Sequence, residues 1–71
     1  MHNDFACNLK YYRKKNNLTQ QQLAKLTHLD RTTITAYEIG KRECDFDTLI
    51  KLAKILEIST DELLHNKRAG D

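Results

Sequence analysis

The chain is expected to be all-α, with five short helices around one small core. Three observations predict it. It has 71 residues with no proline and only two glycines, Gly40 and Gly70, which argues against a turn-rich β fold. Four helix-start signatures recur along it, each a capping residue framed by apolar neighbours. Between those starts, apolar residues return at helical spacing.

The first helix lies before Asn16, where Phe5, Leu9 and Tyr12 recur at helical spacing and Asn16-Asn17 tolerates a left-handed exit. The second starts at Leu18-Thr19-Gln20-Gln21-Gln22-Leu23, with Thr19 as N-cap, Gln22 as its reciprocal partner, and Leu18 with Leu23 as hydrophobic staple. Leu29-Asp30-Arg31-Thr32-Thr33-Ile34 repeats the device with Asp30 as cap, and Gly40 suits the left-handed end of that third helix. Asp45 opens a fourth helix, and Ser59 with Glu62 forms a full capping box for a fifth. The predicted spans are about 4–15, 20–27, 31–39, 46–57 and 60–65. Leu9, Leu23, Leu26, Ile34, Leu49, Ile50, Leu52, Ala53, Ile55, Leu56, Ile58 and Leu63 are the expected core. Residues 1–66 then form one domain, with 67–71 as a polar tail.

Composition narrows the function classes. No stretch approaches the roughly 20 consecutive apolar residues of a membrane span, and the start lacks the apolar core of an export signal. The protein is expected to stay in the cytoplasm. Cys7 and Cys44 are read as buried thiols rather than a disulfide, and no Cys or His pair has zinc-site spacing, so neither metal nor cofactor is expected. No Ser or Cys stands beside a His, and no glycine-rich phosphate cradle occurs, so the chain is not read as an enzyme. The net charge of +2 conceals a split: residues 1–42 carry eight Lys or Arg against three acids, whereas residues 43–71 carry four against seven. A basic half of this kind faces a polyanion.

Only about three residues connect the second and third helices, so the two must cross steeply as a helix-turn-helix. At about 100° per residue, Ile34, Tyr37 and Glu38 share one side of the third helix, and Thr32, Ala36 and Ile39 the other, flanked by Thr35. Arg31, at the first helical position, reaches outward. Arginine pairs bidentately with guanine, threonine hydrogen-bonds base edges and alanine admits a thymine methyl, so this face suits a major groove. Lys14, Lys15 and Lys25 are read as solvated lysines, and the tyrosines as core or phosphate-edge residues.

The run from Leu18 to Leu64 resembles the Cro and repressor type of helix-turn-helix domain, over roughly residues 9 to 64. The resemblance rests on Arg13, Leu18-Thr19-Gln20, Leu23-Ala24, Ile34, Tyr37-Glu38-x-Gly40-Lys41-Arg42, Leu49, Leu52-Ala53 and Ser59-x-x-Glu62-Leu63. It implies a compact lambda-repressor-like domain that binds double-stranded DNA, with Arg31, Thr32, Thr35 and Ala36 at base edges. It also implies phosphate contacts from Thr19 and Gln20 and from Lys41 and Arg42, and a structural ion pair between Arg13 and Glu38. A transcriptional repressor acting as a homodimer on palindromic half-sites follows. A protein-interaction module or antitoxin-type adaptor that keeps the fold is the alternative. Leu56, Ile58 and Leu64 are the residues expected at the dimer surface. Three positions depart from the family pattern: His28 stands where the turn commonly has glycine, Ile39 where a polar residue is frequent, and Cys44 where proline is common.

Overall fold

The computed structural model describes residues 4–65, so the expected polar tail at 67–71 lies outside the described residues. Five helices follow in order: α1 Asp4–Lys15, α2 Gln20–Thr27, α3 Arg31–Glu38, α4 Phe46–Leu56 and α5 Thr60–Leu64. No strand occurs among the described residues. The expected starts all hold, and the last three helices each stop one residue early.

The starts form for the reasons their sequences imply. Thr19 accepts from the Gln22 amide at 3.0 Å while its own amide donates to Gln22 Oε1 at 2.8 Å. Ser59 and Glu62 repeat the box at α5, and Asp45 Oδ1 accepts from the Thr48 amide at 2.9 Å. Asp30 is a correction: its extended backbone occupies the cap of α3, yet its side chain makes no cap hydrogen bond.

The ends share one device. Asn17, His28, Gly40 and Glu57 follow α1 to α4 with φ between 58° and 79°. Behind each, the next amide reaches back five residues: Leu18 to the Arg13 carbonyl, Leu29 to Ala24, Lys41 to Ala36 and Ile58 to Ala53, at 2.9 to 3.1 Å. This is the Schellman closure, which satisfies carbonyls that the helix itself leaves open. Only Gly40 takes the left-handed conformation without a Cβ penalty.

Helix α3 packs against α2 and α1, α1 also meets α5, and α4 closes the assembly against α2 and α5. Leu9, Leu23, Ile34, Leu52 and Leu63 are fully buried where these elements meet. Phe5, Leu18, Leu29, Ile55 and Ile58 pack on that core from its edge, and Phe5 meets Tyr37 edge-on with ring centroids 5.8 Å apart. Two of the expected core residues, Leu26 and Ile50, lie outside the packed core, Ile50 being half-buried. Leu26 is 51% exposed, because α2 buries Leu23, Ala24 and Thr27 and its remaining face looks outward. Thr27 can take that buried position because its hydroxyl donates to the Leu23 or Ala24 carbonyl. Cys7 is exposed and Cys44 half-buried, so the reading of two buried thiols is corrected for Cys7.

Candidate nucleic-acid interface

The turn between α2 and α3 is the first determinant of the site. His28 adopts φ 59° and ψ 36°, the left-handed conformation that its place in the pattern requires. Its amide reaches the Lys25 carbonyl at 3.2 Å, and Leu29 then packs on the core as the chain enters α3. The departure from glycine therefore still yields a left-handed turn, at the steric penalty of a Cβ there.

Helix α3 divides as its periodicity requires. Ile34 and Tyr37 are buried, Arg31, Thr32 and Ile39 are exposed, and Thr33, Thr35 and Ala36 are half-buried at the boundary. Glu38 lies on the inner side with its carboxylate 2% exposed. Arg13 of α1 grips that carboxylate with two parallel bonds, Nε to Oε2 at 2.6 Å and Nη2 to Oε1 at 3.2 Å. The third guanidinium nitrogen, Nη1, donates to the Leu18 carbonyl at 2.7 Å. One arginine thus joins α1, the start of α2 and the end of α3, and it removes the only acid of α3 from the outer surface.

Gln20 extends this network rather than standing apart from it. Its Nε2 donates to Glu38 Oε1 at 3.1 Å, and its Oε1 accepts from the Thr35 hydroxyl at 2.8 Å. Arg31 Nη1 lies 3.5 Å from the same hydroxyl oxygen. The structure therefore brings together Arg13, Gln20, Arg31, Thr35 and Glu38. Thr19 is occupied by its capping box. Lys41 and Arg42 follow α3 exposed, and no described residue forms an ion pair with either. What the surface offers is a helix end with Arg31 and Thr32 outward and two unpaired cations at its other end, with no exposed carboxylate between.

Three ionisable groups near this surface are shifted. Burial pushes the Cys44 thiol up to about 11, and burial, followed by the nearby Cys44, raises Tyr37. The Thr48 hydroxyl and amide hold Asp45 below the usual carboxylate range. A thiol held protonated is a poor nucleophile, so nothing in its surroundings activates Cys44 at neutral pH. Among the described residues no group of His, Cys, Asp and Glu could hold a metal ion, and no helix is long and apolar enough to cross a membrane.

Leu56 is only 2% exposed and presents nothing to a second copy, so its place at a dimer surface is corrected. Ile58 is half-buried on the core and Leu64 is 41% exposed. Sequence reasoning missed Asn8. It is fully buried on α1, and its Nδ2 lies 3.2, 3.1 and 2.9 Å from the Glu62, Leu63 and His65 carbonyls, closing the C-terminal end of α5. Its signal was faint: a lone asparagine beside Leu9 in an otherwise apolar phase.

A family model described as helix-turn-helix matches residues 9–63. Among curated proteins, the chain is 48% identical over 60 residues to an uncharacterized HTH-type transcriptional regulator, YqaE, of Bacillus subtilis, covering 84% of this chain and 52% of that protein. It is 46% identical over 59 residues to the control protein C.SmaI of Serratia marcescens, covering 83% of this chain and 70% of that one. The chain thus spans about half the length of the first of these relatives. Among solved structures, the restriction-modification controller protein C.AhdI of Aeromonas hydrophila superposes with a TM-score of 0.80 at 35% identity, over 84% of this chain and 91% of that one. With the capped helices, the crossed pair and the Arg13–Glu38 grip in place, the chain belongs to the Cro/C1-type helix-turn-helix family, a family of DNA-binding transcription regulators and not of enzymes.

Proposed function

We propose that this chain is a sequence-specific regulator that binds double-stranded DNA in the major groove, acts as a repressor and works as a homodimer. The observation that carries the reading is the charge arrangement of α3. Its one carboxylate is sequestered by Arg13, while Arg31 projects at its N-terminal end and Lys41 with Arg42 just past its C-terminal end. A helix with that outer face meets a groove lined by phosphates without repulsion.

In this reading Arg31, Thr32, Thr35 and Ala36 face base edges, Arg31 pairing with guanine. Thr19, Gln20, Lys41 and Arg42 meet phosphates, Gln20 through the Nε2 proton that Glu38 does not take. One short helix reads only a few base pairs, and two copies on symmetric half-sites about one helical turn apart supply the rest. Leu64 and Ile58 are the apolar residues assigned to the dimer surface.

Selection from random duplex DNA, followed by binding at two salt concentrations, tests this. A roughly palindromic motif with affinity falling steeply with salt is expected. No enriched motif, with affinity remaining millimolar at low salt, would leave the fold as a protein-interaction module. A monomer on DNA at high micromolar concentration would refute the dimer.

A further inference from the structure

A threonine hydroxyl has one proton and two lone pairs, and it ordinarily rotates to suit either a donor or an acceptor. Thr35 is not free to do so. Two protein acceptors claim its proton, Gln20 Oε1 at 2.8 Å and the Arg31 carbonyl at 3.1 Å. The Gln20 amide cannot turn to relieve this. Its other end faces Glu38 Oε1 at 3.1 Å, and a carboxylate only accepts, so the nitrogen belongs there and the oxygen towards Thr35. Glu38 is fixed in turn by the two bonds from Arg13. Gln20 Oε1, the nearer of the two, holds the hydroxyl proton back towards the protein, and the Arg31 carbonyl is the longer, weaker alternative. Lone-pair capacity and the methyl group are what Thr35 has left, and Arg31 Nη1 approaches that oxygen only at 3.5 Å.

Resting on the reading that α3 enters the major groove, we infer that Thr35 meets DNA as a hydrogen-bond acceptor and that Gln20 is the positioning residue that imposes this polarity. Every base pair shows one exocyclic amine in the major groove, on adenine N6 or cytosine N4, and one keto oxygen, on thymine O4 or guanine O6. A hydroxyl that keeps its proton turned inward accepts from the amine and sets its lone pairs against the keto oxygen. Thr35 therefore selects adenine or cytosine over guanine or thymine on the strand it faces. It separates the two orientations of a base pair rather than A·T from G·C. A rotating threonine would make no such distinction.

The test pairs protein variants with base analogues in the selected operator. At the position where Thr35→Val changes the base profile, the preferred base is replaced by its amine-free counterpart, purine for adenine or 2-pyrimidinone for cytosine. Wild-type protein should lose roughly fivefold in affinity from the missing amine, Thr35→Val should lose nothing further, and Thr35→Ser should behave as wild type. Gln20→Leu, checked for an unchanged helical spectrum, should shrink the amine dependence and admit guanine or thymine at that one position. Comparing proteins on the same analogue cancels its effect on base pairing. The inference is overturned if wild type binds the amine-free operator as tightly as the parent. It is equally overturned if Thr35→Val retains the amine dependence, or if Gln20→Leu leaves the amino-over-keto preference intact. Absence of any enriched motif would instead refute the DNA-binding reading beneath it.

Discussion

Replacing Glu38 with alanine tests the most consequential contact in the domain. The carboxylate is 2% exposed and the Arg13 side chain 9%, so the substitution leaves a guanidinium nearly out of water with its Leu18 carbonyl bond as the one partner still in place. Leaving a buried charge unpaired costs about 3–5 kcal/mol. A domain of this size is stable by roughly 4–10 kcal/mol in total, so Glu38→Ala should bring it close to its unfolding midpoint. Urea denaturation followed by far-ultraviolet circular dichroism measures the change, with an unaltered m-value showing that the same surface is exposed. The informative partner is the double variant Arg13→Met with Glu38→Leu, which removes both charges and fills their volume. It should recover most of the loss, because paired apolar replacements of a buried ion pair are often neutral or stabilising. A Glu38→Ala cost below about 1 kcal/mol, or a double variant no more stable than the singles, would refute the argument that the pair holds α1 to α3.

Three further outcomes are expected. Glycine at His28 or Glu57 should raise stability by about 0.5–1 kcal/mol each in thermal melts, since relief of the left-handed penalty exceeds the added freedom of the unfolded chain. Cys44 and Tyr37 bind their protons more tightly folded than unfolded, so the stability they contribute is whole below pH about 9 and is lost as pH rises; for Cys44 the loss runs to about 11. Urea midpoints across that range should fall, and less steeply in Cys44→Ala. Arg31→Ala should relax specificity at one base position, whereas Arg42→Ala should weaken all sequences alike and reduce the salt slope by about one, as binding titrations on matched and mismatched operators would read.

The sequence carried the helices clearly because their starts are local chemistry: Thr19 with Gln22 and Ser59 with Glu62 complete their bonds within four residues. Helix ends were less legible. Asn17 and Gly40 are residue types that favour the left-handed conformation, but a glutamate at position 57 does not announce it, and only the packing of Ile58 beyond it accounts for that turn. Leu26 misled because its apolarity outweighed its phase, whereas Thr27, four residues after Leu23, occupies the buried face. The face of α3 was readable from periodicity alone. The bond from Gln20 to Thr35 was not, since it exists only where two helices cross, and no spacing along the chain encodes that meeting. Asn8 was hidden for the same reason, its partners lying more than fifty residues away.

The shared closure of α1 to α4 also bears on how the molecule comes together in time. Each helix is terminated by bonds spanning at most six residues, so closing its end costs little loop entropy. Chains dominated by such short-range contacts cross their folding barrier in microseconds to milliseconds, because little loop entropy is lost in reaching it. Here the connection after each helix leaves in a direction dictated by a single residue, which narrows the orientations the next helix must search. The long-range Arg13–Glu38 grip then has prepared segments to join, and a newly synthesised copy reaches its DNA-competent form without a slow step built into its backbone.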